Sequence, residues 1–157
     1  MTKIVILAFG TRGDVGPVTG LGSALAGAGY SVAVAAQAPY RGLVAQAGVE
    51  FRELPKDTEA ETRASASAQA LINGRRMKPS RAALADMVDQ LRSVGPAMAK
   101  AAQDADFLLA ASPISSLFGY HIAEAMRIPS AAAFLQPLSP TGAFPPPPLG
   151  ILSLGTW

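Results

Sequence analysis

The 157 residues make one domain's worth of chain, half of them apolar and 15% charged: enough for a real core, and too little charge for a disordered polypeptide. Lys plus Arg is 13 and Asp plus Glu is 11, so the formal charge of +2 is no nucleic-acid footprint. Cysteine is absent, which excludes disulfides, zinc–thiolate sites, iron–sulfur clusters and a thiol nucleophile, and the single histidine, His121, excludes a histidine-rich metal site. The first apolar run, residues 4–9, is too short for a signal-peptide core, and no run approaches the ~20 apolar residues of a membrane span. The expected address is cytoplasmic. Alanine at 31 positions fits the coding bias of a GC-rich bacterial genome.

Strand and helix signals alternate along the chain. Residues 3–9 form a β-branched run suited to a strand buried on both faces. A glycine loop follows over residues 10–16, with Pro17 placed as the first helical residue and Val18, Leu21, Leu25 and Ala28 at helical spacing up to Gly29. Residues 31–36 give a second strand, 39–47 a short helix, and 50–54 a third strand ended by Pro55. Residues 56–80 are polar and aperiodic, expected as a long mobile loop with some helix. Helical spacing returns from Arg81 to Met98, where Gly95-Pro96 is expected to kink or split the helix. A fourth strand is expected over 106–111, a helix over 114–126 and a fifth strand over 130–135. A proline-rich loop (136–148) and an apolar tail (149–157) complete the chain.

Alternation at this spacing predicts parallel βαβ units. Right-handed crossovers then give an α/β, Rossmann-like, doubly wound sheet in the order 3-2-1-4-5. Ligands of such sheets bind at the carboxyl ends of the strands. Here that edge is expected to carry the glycine loop, the start of the helix after strand four, and loop 136–148.

The glycine loop fails three cofactor tests. A dinucleotide fingerprint needs G-x-G-x-x-G and an acid after strand two. Here the glycines fall at 10, 13 and 16, and strand two ends in Gln37. There is no Gly-Lys pair for a P-loop and no G-x-S-x-G elbow for a hydrolase.

The segment Gly10-Thr11-Arg12-Gly13-Asp14-Val15-Gly16-Pro17 resembles the G-[ST]-R-G-D-V-x-P signature of the sterol- and antibiotic-type glycosyltransferases, two-domain GT-B enzymes that use nucleotide sugars. Segments 47–54, 119–129 and 133–141 resemble that family in the same order and spacing, so the likeness spans almost the whole chain. Gly16 departs from the pattern, since the family usually has Gln there. The resemblance implies that residues 1–157 are an acceptor-binding domain, C-terminally incomplete. A second Rossmann-like domain would bind the nucleotide-sugar co-substrate. No other cofactor and no metal is implied. The implied reaction is inverting transfer to a hydroxyl of a hydrophobic acceptor, such as a sterol, lipid or natural-product aglycone. A non-catalytic small-molecule-binding module is the alternative, and a nicotinamide-binding domain is disfavoured by the glycine spacing.

The resemblance makes Asp14 the candidate general base, and a cap for the following helix is the competing role of that side chain. Thr11, Arg12 and Gly13 share its loop and are candidate acceptor contacts. Arg12 would meet an anionic group or pair locally with the aspartate. His121, placed at the opening of the helix after strand four, is a pocket-wall residue or an alternative base. Gln136 and Phe144, on the proline-rich loop, complete the candidate acceptor site. Phe118, Tyr120 and Leu138 could add apolar lining, whereas Phe134 is assigned to the core. Arg75, Arg76, Lys78 and Arg81 form a basic cluster, which is either a solvated charge run or a peripheral contact with an anionic membrane.

Overall fold

The computed structural model of the chain, which describes residues 1–56, 58–64 and 81–135, is a parallel sheet with helices on both faces. β1 (Lys3–Leu7), β2 (Ser31–Gln37), β3 (Glu50–Leu54), β4 (Phe107–Ala110) and β5 (Ser130–Ala132) lie in the order β3-β2-β1-β4-β5, every pair parallel. The helices are α1 (Arg12–Gly27), α2 (Arg41–Gln46, entered through a 3-10 turn at Ala38–Tyr40), α3 (Thr58–Ala64), α4 (Arg81–Ala101) and α5 (Pro113–Met126). The doubly wound sheet and its strand order are those the alternation of signals predicts.

The period of two along β1 sorts its side chains between two cores. Ile4 and Ile6 pack with Val32 and Val34 of β2 against Val15 and Val18 of α1 and Val44 of α2. Val5 and Leu7 pack with Ala33, Ala35 and Leu108 against Val94 and Met98 of α4 and Ala123 of α5. β1 is therefore covered on both faces, which explains its unbroken β-branched sequence. α4 and α5 meet at Gly95, where a Cβ would lie 2.8 Å from Cε1 of Phe118.

Four local expectations need correction. α1 begins at Arg12, so Pro17 sits inside the helix and not at its first position. Pro17 leaves the Gly13 carbonyl without its usual donor, and both residues lie on an exposed face where water can serve it. α4 is not split at Gly95-Pro96 but continues to Ala101, and Pro96 is likewise exposed. β5 spans only Ser130–Ala132, all three residues exposed. The chain then leaves the sheet edge, and Phe134 is 42% exposed and not in the core. The loop expected over residues 56–80 contains α3. The rest of that stretch, including Arg75, Arg76 and Lys78, lies outside the described residues, as do Leu138 and the tail 149–157. Arg81 opens α4 and is exposed.

One polar cluster ties α4 to the sheet. Arg52 of β3, 16% exposed, donates from Nη1 to the carbonyl of Ala101 at 2.6 Å and from Nη2 to Asp104 Oδ2 at 2.8 Å, while Nη1 also reaches Asp104 Oδ1. Its Nε donates to Glu50 Oε1 at 2.8 Å, and Lys3 closes the cluster on the other Glu50 oxygen. The guanidinium holds the Asp104 carboxyl down at about 2 and also lowers that of Glu50. Carboxylates held below their unfolded values stabilise the fold above pH ~4, and that stability is lost as pH falls toward the native values. Asp104 is more than half exposed, so solvent screens its share. Arg52→Met is expected to cost about 1–3 kcal/mol, because it also strands the Ala101 carbonyl. It should also flatten the loss of stability between pH ~4 and ~2. Urea unfolding across that range checks this; a variant with an unchanged pH slope would contradict it.

Candidate functional site

In an open parallel sheet, ligands collect outside the carboxyl ends of the strands where the winding reverses. Here β1 has β2 on one side and β4 on the other, so the reversal lies between β1 and β4. The β1–α1 turn and the β4–α5 turn both end there, and the site is built from these two turns and the end of β2.

The sequence makes the β1–α1 turn through a capping box. Thr11 is the N-cap of α1 and Asp14 its N3 residue. Asp14 Oδ2 accepts the Thr11 backbone N–H at 2.7 Å and the Thr11 hydroxyl at 3.1 Å. Oδ1 accepts no hydrogen bond from a described residue. Asp14 is half-buried, and one of its oxygens is engaged by the turn. The carboxylate folds back over Gly10, and a Cβ at Gly10 would lie 2.2 Å from Oδ2. Gly10 is required here for the space it leaves.

Two neighbours brace the turn from below. From the β4–α5 turn, Ser112 Oγ donates to the Phe9 carbonyl at 2.8 Å, and Ser115 Oγ accepts the Phe9 N–H at 3.0 Å. Ser112 is the N-cap of α5 and Pro113 its first residue. From the end of β2, the buried Gln37 donates Nε2 to the Gly10 carbonyl at 3.1 Å, and its Oε1 faces the Gly10 N–H at 3.5 Å. Gln37 stands where a nicotinamide-binding domain carries its ribose-binding acid, and its amide is turned inward onto Gly10. Together with the glycine spacing, this argues against a dinucleotide site.

The candidate residues separate accordingly. Thr11, Arg12, Gly13 and Asp14 share the first turn of α1 at the edge. Arg12 is exposed and makes no ion pair with Asp14. His121 does not open α5. The helix starts at Pro113, and a rise of 1.5 Å per residue carries His121 about 12 Å along it, away from the strand ends. Its side chain is 70% exposed, 3.8 Å from Glu124 and edge-on to Tyr120. Gln136 and Phe144 lie outside the described residues. Among the described residues no group of three or more His, Asp or Glu could hold a metal ion. No described helix is long and apolar enough to cross a membrane. Sequence reasoning missed Gln37, Ser112 and Ser115. The signals were there: a polar residue ending an otherwise apolar strand, and a Ser-Pro pair of the kind that caps helices.

The doubly wound sheet is shared with one half of GT-B glycosyltransferases. The glycosyltransferase family 28 N-terminal domain matches residues 4–145, and the chain belongs to that family. It is 33% identical over 143 residues to a sterol 3-beta-glucosyltransferase of Pichia angusta, covering 91% of this chain and 11% of that protein. To sterol 3-beta-glucosyltransferase UGT80B1 of Arabidopsis thaliana it is 32% identical over 150 residues, covering 92% of this chain and 24% of that one. Among solved structures, the Streptomyces sp. SF2575 glycosyltransferase SsfS6 superposes with a TM-score of 0.63 at 23% identity, covering 89% of this chain and 41% of that one. MurG of Acinetobacter baumannii gives 0.58 at 12% identity, covering 90% and 37%. The chain thus spans well under half the length of these proteins.

Gly10→Ala should displace the Asp14 carboxylate and lose the cap, at about 0.5–2 kcal/mol. Asp14→Ala removes the same interaction, so the double variant should be little less stable than the worse single one. Thermal unfolding of the four proteins checks this; additive losses would contradict the contact.

Proposed function

We propose that this chain is the acceptor-binding half of an inverting glycosyltransferase. The whole enzyme would move a sugar from a nucleotide donor to a hydroxyl of a hydrophobic acceptor. The carrying observation is Asp14 at the switch point of the sheet: its Oδ2 is held by Thr11, while Oδ1 accepts no hydrogen bond from a described residue. The acceptor hydroxyl donates its proton to Oδ1 as its oxygen attacks the anomeric carbon. The bond from that carbon to the nucleotide diphosphate breaks with inversion, and the diphosphate leaves with the electron pair. A base at this point serves the step because it takes the proton as the oxygen becomes nucleophilic.

The donor would be held by a second domain, where the diphosphate charge is also met, and no metal enters the reaction. The sterol 3-beta-glucosyltransferase relatives support a sterol as acceptor, with other lipids or natural-product aglycones as the wider class. Thr11, Arg12 and Gly13 would contact the acceptor. Gln136 and Phe144 would contact it too, and His121 would border its outer rim. We place the reaction in the cytoplasm, with the basic cluster at Arg75, Arg76, Lys78 and Arg81 bringing the enzyme to anionic membrane that holds the acceptor.

Asp14→Asn in the full-length polypeptide should lower turnover ~10²–10⁴-fold with acceptor KM little changed. Near-normal turnover with lowered thermal stability would reduce Asp14 to a cap. The 157-residue chain alone should not bind UDP- or dTDP-sugars with submicromolar affinity. Titration calorimetry tests this, and tight binding would place the donor site in this half.

A further inference from the structure

The end of β2 carries a buried side chain that the proposed reaction does not use. Gln37 is fully buried, and both ends of its carboxamide face Gly10: Nε2 donates to the carbonyl at 3.1 Å and Oε1 faces the N–H at 3.5 Å. Gly10 in turn is the surface on which Asp14 Oδ2 rests, since a Cβ there would lie 2.2 Å from that oxygen. The peptide joining Phe9 to Gly10 has its carbonyl held by Ser112, so the turn is fixed from β2 on one side and from the start of α5 on the other. A strand that needed only an apolar end would not bury an amide at this position. Burial of a primary amide is costly unless its hydrogen bonds are made, and here two of those contacts fall on the residue beneath the carboxylate.

We propose that Gln37 is a positioning residue for Asp14: by holding the Gly10 N–H and carbonyl it aims Oδ1 of the carboxylate at the acceptor hydroxyl. The inference rests on the reading of Asp14 as base. It adds that the base is held from beneath by a side chain that touches neither acceptor nor donor. A shift of Gly10 is passed directly to the carboxylate lying on it, and proton transfer is sensitive to such displacement, since ~1 Å of misplacement can cost ~10²-fold in rate.

The test uses the full-length polypeptide, a UDP-sugar and a sterol acceptor, with three variants. Gln37→Met keeps the length of the side chain and removes its hydrogen bonds. It should lower kcat about 10–100-fold while acceptor KM stays within about twofold. In an Asp14→Asn background the same change should cost kcat little more, because the group it positions is already disabled. Gln37→Glu supplies the discriminating readout. Protonated, its carboxyl can donate to the Gly10 carbonyl as the amide does; ionised, it opposes that carbonyl with a second oxygen. Burial and the Asp14 carboxylate alongside Gly10 both raise the pKa of such a carboxyl. The ratio of variant to wild-type kcat should therefore rise as pH falls from 8 to 6. A purely structural role would lower thermal stability and leave kcat and this ratio flat, which would overturn the proposal. Should Gln37→Met not fold, the Gln37→Glu pH ratio decides alone. If Asp14→Asn itself turns over normally, the reading of the base fails. If Asp14→Asn is slow while both Gln37 variants turn over normally, only the positioning role fails.

Discussion

At the carboxyl end of β1 the chain must change from a strand buried on both faces into a helix that covers one of them. Thr11 and Asp14 make that change. The carboxylate returns to the Thr11 N–H, one of the donors left orphaned at a helix start, and the helix then runs along the sheet with Val15 and Val18 facing inward. Everything at the edge depends on this return. Gly10 must lack a side chain to allow it, and the bracing from Gln37 and Ser112 bears on the same few backbone atoms. One interaction thus places a helix on the core and a carboxylate at the switch point of the sheet.

Cap and base are compatible roles for the same residue. A carboxylate has two oxygens, and a capping bond needs one. Oδ2 carries both bonds from Thr11, which sets the plane of the group, while Oδ1 has no described partner. A freely rotating carboxylate would have to be ordered at the moment of reaction, whereas this one is ordered by folding. The stability of the turn and the geometry proposed for proton transfer come from the same contact.

Much of this was legible in the sequence. The β-branched run of β1, the alternation in β3 and the regular strand–helix spacing lead to the observed sheet and its order, because each expresses burial directly. The start of α1 was harder. The three glycines suggested a loop as far as Gly16, yet Thr11-x-x-Asp14 is a capping-box spacing and prevailed. Pro17 is tolerated because the carbonyl it deprives lies on the exposed face. His121 was misplaced by the helix start: capped by Ser112, α5 carries that residue two turns from the edge. The expectation of Phe134 in the core rests on a fifth strand running to residue 135, but β5 stops at Ala132 and Phe134 lies beyond it, 42% exposed. Gln37 was noticed only as a missing acid. That its amide turns inward to Gly10 depends on where β2 ends relative to β1, a matter of register that no local pattern records.

The central claim is that Asp14 presents its free oxygen to the acceptor hydroxyl. A crystal structure of the full-length polypeptide with a sterol acceptor bound measures this directly. The reacting hydroxyl should lie within about 2.6–3.2 Å of Asp14 Oδ1, with Oδ2 still bonded to the Thr11 N–H. An acceptor whose hydroxyl lies beyond hydrogen-bonding reach of Asp14, against another acid or base, would contradict it.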